Sequence, residues 1–197
     1  SASCVGNESR LGAQEAPPAI ISIFLGDQLD DVVAQIVSNS ESIKLLASGK
    51  LDSGVSTIPV LDKDGTDRNR TSPFAFTGNK FEFRMVGSSD SIACANIMIN
   101  TAVAESLKLY ADRLEGAENF PAALQELLRQ TIREHKRIIF NGNGYDDAWI
   151  TEATEKRGLL NYRTTPDCVP HLLDEKNVRL LTSHGVLTLE ELTSRYE

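Results

Sequence analysis

The sequence is poor in the residues that build small cross-linked or metal-stapled folds. Its 197 residues hold three cysteines, Cys4, Cys94 and Cys168, widely separated and without a Cys-x-x-Cys pair. That argues against a disulfide framework or a zinc knuckle and fits a reducing compartment. The three histidines, His135, His171 and His184, never reach His-x-x-x-His spacing, so a histidine metal site is not indicated. Long hydrophobic runs are also missing: the longest mostly apolar stretch, Ala19 to Leu25, is far short of the roughly 20 residues that cross a bilayer. Positive charge is scarce, with 20 Lys and Arg against 28 Asp and Glu, a net −8 and a pI near 5.0. The deficit is spread over both halves, so neither nucleic acid nor an anionic membrane is expected as main partner. Ser1 is followed by no basic or apolar leader pattern, and the expectation is a piece of a longer, soluble, cytoplasmic chain.

With 41% apolar and 24% charged residues, the chain is of ordinary globular composition and long enough to bury a core. Ala19 to Leu25 reads as a buried β-branched strand ended by Gly26, followed by a helix over Gln28 to Val37. Residues 38–67 form a polar insertion with a further strand at Thr57 to Leu61; its Asp62-Lys-Asp-Gly65 reads as a turn rather than a calcium loop, which needs Gly at the sixth position. From Ser91 the pattern becomes helical. Ile92, Ala95, Met98, Ala102 and Leu109 mark a long helix to about Leu114, and a second comes after Asn119 with Pro121 in its first turn and Asn141-Gly142 as its stop. A third spans Asp146 to Lys156, with Gly158 as cap. Short helices complete the tail, around Cys168 to Lys176, Asn177 to Thr182 and Thr188 to Tyr196, where Thr188 and Glu191 have capping-box spacing.

The most informative run is Asn69-Arg-Thr-Ser-Pro-Phe-Ala-Phe-Thr-Gly-Asn-Lys-Phe-Glu-Phe-Arg84. If residues 79–86 form a strand, Lys80, Glu82 and Arg84 share one face and Phe81, Phe83 and Met85 the other. Charged neighbours then stand roughly 6.6 Å apart, close enough to share a polyanion and its metal. The alternative is a half-buried strand with a solvated outer face, and spacing alone leaves both open. Arg10 and Glu15 lie in a loop stiffened by Pro17-Pro18, where a surface ion pair is the ordinary reading. Asn141-Gly-Asn-Gly144 comes after a helix and lacks a downstream Lys-Ser/Thr, so a phosphate loop is not supported.

Together these segments resemble the C-terminal part of a glutamine synthetase catalytic domain, closest in wording to the bacterial type III enzymes. Arg10-Leu-Gly-Ala-Gln-Glu-Ala-Pro17 resembles the Arg-Leu-Gly-x-x-Glu-Ala-Pro flap, Asn69-Arg-Thr-Ser resembles Asn-Arg-Ser, and Lys80-Phe-Glu-Phe-Arg84 resembles the Arg-x-Glu-x-Arg strand. The likeness continues through Phe140-Asn-Gly-Asn-Gly-Tyr and Lys156-Arg-Gly-Leu, and so covers essentially the whole chain. It implies ATP-dependent ligation of ammonia to glutamate through γ-glutamyl phosphate, in a large homo-oligomeric ring. Arg10 would hold the glutamate carboxylate, with the fork geometry suited to it. Glu15 would ride on the flap and help deprotonate ammonium; Arg70 and Lys80 would contact ATP phosphates. Glu82 would ligate Mg²⁺ or Mn²⁺, and Arg84 would face the substrate and the acyl phosphate.

Two positions depart from the family pattern. Ala75 stands where a further arginine is usual, and Lys80 keeps the charge of a usual arginine but not its fork. The family's first metal-binding glutamates and its metal-binding histidine would precede Ser1, so the isolated chain is expected to be inactive. The expected fold is α+β: residues 1–90 supply an antiparallel portion of the catalytic sheet and residues 91–197 a C-terminal helical block. The rivals are a non-catalytic helical assembly module and another member of the superfamily, such as a glutamate–cysteine ligase or a guanidino kinase.

Overall fold

The computed structural model describes residues 18–38, 50–51, 61–62, 72–86 and 91–197. The architecture is α+β and mostly helical. Strand β1 (Ile23–Phe24) leads into helix α1 (Gly26–Ser38); β2 (Lys50–Leu51) and β3 (Leu61–Asp62) form an antiparallel pair. Strands β4 (Phe74–Phe76) and β5 (Phe81–Phe83) come next, and everything after them is helical: α2 (Ala93–Leu114), α3 (Phe120–His135), α4 (Asp147–Thr151), α5 (Thr165–Cys168), α6 (Glu175–Ser183) and α7 (Leu189–Tyr196).

The main sheet has the order β1-β4-β5. β4 and β5 are an antiparallel hairpin, as expected, but β1 runs parallel to β4, with Ile23 opposite Phe74. The sheet is therefore mixed rather than antiparallel throughout. The strands are also shorter than the sequence pattern suggests, because a strand extends only as far as its partners. Of Ala19 to Leu25, Ile23 and Phe24 are laddered to β4; of residues 79–86, the first two belong to the hairpin turn. There Thr77 N–H donates to the Lys80 carbonyl at 2.8 Å, and Gly78 has φ +95°, the positive φ that tight hairpin turns demand and glycine adopts without strain. One more bond, Arg84 N–H to the Pro73 carbonyl at 2.7 Å, prolongs the pairing beyond Phe83. Of the expected strand at Thr57 to Leu61, residues 57–60 lie outside the described residues.

The expected helix around Cys168 to Lys176 is instead the end of α5, a 3₁₀ turn over Val169–Leu173 and the start of α6; the other helices hold with local changes. Asn119 caps α3 by accepting from Ala122 N–H at 3.2 Å, with Pro121 in the first turn. Thr188 and Glu191 form the full capping box of α7. The third helix splits: α4 is succeeded by a wider turn over Glu152–Lys156, and Gly158 closes the segment at φ +61°. Asn141-Gly142 does not stop α3, which ends at His135 and continues as a 3₁₀ turn, Lys136–Ile138.

Ile139 and Phe140, directly after that turn, join the helices to the sheet. Ile139 bridges Ile23 in parallel on the side of β1 away from β4, and Phe140 N–H donates to the Ile23 carbonyl at 3.0 Å. A buried cluster of Ile20, Trp149 and Ala153, flanked by Phe140, Ile150 and Leu159, sits against this seam. A second small core holds Met85 against Ala19, Phe83 and Cys168. Helix α1 has no basic residue in its own last turn. Arg129 and Arg133 of α3 supply it, donating to the Ile36 and Val37 carbonyls at 3.3 and 3.2 Å, where cations complement the helix's negative end.

Candidate functional site

The β4–β5 hairpin sorts its side chains cleanly. Phe74, Phe76, Phe81 and Phe83 share one face, with ring centroids 5.5 Å apart for Phe74–Phe81 and 5.4 Å for Phe76–Phe81. Ala75 and Glu82, opposite one another in the ladder, share the other.

On that second face Lys80, Glu82 and Arg84 converge as the alternation predicts. Arg84 donates from Nε (3.3 Å) and Nη2 (3.2 Å) to Glu82 Oε2, and Lys80 Nζ lies 3.5 Å from Oε1. The three differ in exposure: the Lys80 side chain is 66% exposed, Glu82 40% and Arg84 15%. Arg84 is thus an embedded anchor, Glu82 a half-open carboxylate and Lys80 an outer, solvated cation. Partial desolvation works against ionisation of Glu82, but the hydrogen bonds and charge of Arg84, then the charge of Lys80, outweigh it and hold its carboxyl below the usual carboxylate range. The Glu82 carboxylate is a hard oxygen donor of the kind a divalent cation would take, and the Lys80 and Arg84 cations beside it are of the kind that offset phosphate charge.

Glu82 fits one ligand position of such an ion, not a whole site. Among the described residues no group of three His, Cys, Asp or Glu side chains could hold a metal. Arg10, Glu15 and Arg70, the other residues singled out in the sequence, lie outside the described residues.

The residue two positions after Arg70 is described, however, and it is anchored. Ser72 is buried, and its hydroxyl donates to the Ser22 carbonyl at 2.9 Å; Ser22, also buried, places its own hydroxyl 3.5 Å from that of Ser72. The end of the Asn-Arg-Thr-Ser segment is thereby fixed to the residue that leads into β1. Sequence reasoning gave Ser22 no role, and a lone serine in an apolar run offers no signal beyond its polarity.

Asn141, expected as a helix stop, does something else. Its side-chain oxygen accepts from the backbone N–H of both Leu25 and Gly26, at 2.9 and 3.1 Å. It is a cap for the start of α1 delivered from more than a hundred residues away. Gly142 stands next to it because Phe140 folds back: a Cβ at Gly142 would lie 2.6 Å from the Phe140 ring. That ring is stacked on Trp149, centroids 3.6 Å apart.

Comparison with known proteins points to glutamine synthetases. Residues 123–197 match the family model for the glutamine synthetase C-terminal domain. A type-3 glutamine synthetase of Dictyostelium discoideum is 46% identical over 98% of this chain. Glutamine synthetases of Butyrivibrio fibrisolvens and Bacteroides fragilis are 43% and 42% identical over 100% and 98% of it. The chain spans only about a quarter of the length of these relatives: 26%, 28% and 27% respectively. With its motifs in order, the chain is similar along its whole length to part of these glutamine synthetases, and its residues 123–197 to the family's C-terminal domain.

Proposed function

We propose that these residues form part of the catalytic site of a glutamine synthetase, which ligates ammonia to glutamate at the expense of ATP through γ-glutamyl phosphate. The observation that carries this reading is the cluster of Glu82 on β5 with Lys80 and Arg84, which flank that strand: a half-open carboxylate held between two cations. Phosphoryl transfer depends mainly on positioning and on offsetting charge over the transferring group, and this mixture of charges suits both.

In this reading Glu82 supplies one carboxylate to a Mg²⁺ or Mn²⁺ ion, whose chemistry is to neutralise phosphate charge. Lys80 and Arg70 lie along the ATP phosphates. Arg84, fixed by its embedding, faces glutamate and the acyl phosphate. Arg10 binds the glutamate carboxylate, and Glu15 takes a proton from ammonium. Residues 1–90 supply the catalytic strands and flap, and 91–197 the helical region that backs them. The remaining ligands come from residues beyond these 197, so this chain alone is inactive, and the whole enzyme is a cytoplasmic homo-oligomer.

The test is glutamine formation from glutamate, ammonia and ATP by the 197-residue chain and by a chain extended to the relatives' length. The reading expects no turnover from the first and turnover from the second. Silence from both, with the extended chain folded, favours the non-catalytic assembly module.

A further inference from the structure

Among the described residues three polar side chains are buried, and two of them, Ser22 and Ser72, stand together. A buried hydroxyl is costly unless it is bonded, and an apolar pair could fill the same space. What the hydroxyl adds is direction, which fixes one arrangement of the segments it joins. Ser72 Oγ donates to the Ser22 carbonyl at 2.9 Å and accepts from the Phe74 N–H at 3.4 Å. It thereby holds the entrance of β4 against the residue that leads into β1. The hold matters because the β1–β4 ladder itself spans two residue pairs, Ile23 with Phe74 and Phe24 with Ala75, a short pairing with which to fix the place of a strand.

The next residue carries that hold to the charged cluster. Pro73, whose ring fixes its own φ and restricts Ser72 before it, accepts the Arg84 N–H on its carbonyl at 2.7 Å. Arg84 in turn donates through Nε and Nη2 to Glu82 Oε2. Two hydrogen-bonded steps, joined to a stiff Ser-Pro dipeptide, thus lead from Ser72 to the Glu82 carboxylate. Arg84 is the least exposed member of the cluster, so its place is set by this backing rather than by solvent. In the sequence Ser72 also stands two residues after Arg70, a further cation assigned to the phosphates.

We propose that Ser72 is a positioning residue for phosphoryl transfer: tied to the Ser22 carbonyl, it sets through Pro73 where Arg84 meets the acyl phosphate and where Glu82 presents its oxygen. The inference deepens the catalytic reading of the Lys80, Glu82 and Arg84 cluster and rests on it. Removing a group that orients the direct ligands of a site, without touching substrate itself, typically costs about 10–100-fold in activity or metal affinity.

The test compares Ser72→Ala with Thr101→Ala in a chain extended to the relatives' length, at a temperature where both are folded. Thr101 is the third buried polar residue; it donates to the Ile97 carbonyl within α2 and has no part in the cluster. Ser72→Ala is expected to lower kcat for glutamine formation by about tenfold or more. It should also weaken Mn²⁺ binding, followed by electron paramagnetic resonance without turnover, and quicken hydrogen exchange in the peptide that holds Arg84. Thr101→Ala should leave all three near the parent values, whatever it does to the thermal midpoint. A kcat for Ser72→Ala within about threefold of the parent overturns the proposal. So does a fall in kcat with Mn²⁺ binding and Arg84 exchange unchanged, which is the mark of a merely structural role. Glu82→Gln, assayed alongside, separates the two failures. If it too keeps full turnover, the catalytic reading falls; if it loses turnover while Ser72→Ala does not, only the role given to Ser72 falls.

Discussion

Ala75 lies directly across the β4–β5 ladder from Glu82 and is completely buried. The position where the family pattern carries an arginine is therefore not an open slot beside the carboxylate. The cationic environment of Glu82 comes from the residues that flank its own strand, Arg84 and Lys80.

Restoring the arginine should consequently cost stability. Ala75→Arg forces a long side chain into a closed position, and overpacking there is expected to destabilise by about 1–3 kcal/mol. Thermal or urea unfolding checks this; a variant as stable as the parent would mean that the site has room for the missing cation.

Asn141→Leu should loosen the junction between the C-terminal helices and β1. Two backbone donors, Leu25 and Gly26 N–H, lose their acceptor, an expected loss of about 1–2 kcal/mol. Hydrogen exchange resolves the effect by residue, with protection falling first at the start of α1.

Gly142→Ala tests the ring stack next to it. The added methyl meets the Phe140 ring, which is held against Trp149 with the Arg157 guanidinium 5.0 Å from the Trp149 centroid. The ring has little room to yield, so a loss of about 1–3 kcal/mol is expected. Near-ultraviolet circular dichroism should register it, since Trp149 is the chain's one tryptophan.

Burial, reinforced by the neighbouring Asp167 carboxylate, pushes the Cys168 thiol above its ordinary 9.0. Raised affinity for the proton favours the folded state at low pH, and this contribution fades as pH rises through the elevated value. The rate of Cys168 alkylation against pH, tracked by peptide mass spectrometry, should inflect above that of a free cysteine. An inflection at or below the free value contradicts the assignment.

How far the sequence could be read depended on the range of each interaction. Alternation placed Lys80, Glu82 and Arg84 together because period two is a property of a single strand. Thr188 with Glu191, and Asn119 ahead of Pro121, were legible because caps act within one turn. The parallel pairing of β1 with β4 and the bridge from Ile23 to Ile139 were not, since pairing direction depends on where distant segments meet. Asn141 was illegible for the same reason: Asn-Gly after a helix is a sound local stop signal, but the donors this asparagine serves lie at Leu25 and Gly26. Ser22 and Ser72 likewise acquire a role only once β1 and β4 are adjacent.

The most direct test of the catalytic reading is Glu82→Gln in a chain extended to the relatives' length, with glutamine formation measured across a Mn²⁺ titration and unfolding measured in parallel. The account predicts a drop of about two orders of magnitude or more in turnover with a raised metal requirement. It also predicts little change in thermal midpoint, because an ion pair at a half-exposed carboxylate contributes little to stability. Full turnover at the parent's metal concentration would contradict the role given to Glu82 and to the strand that carries it.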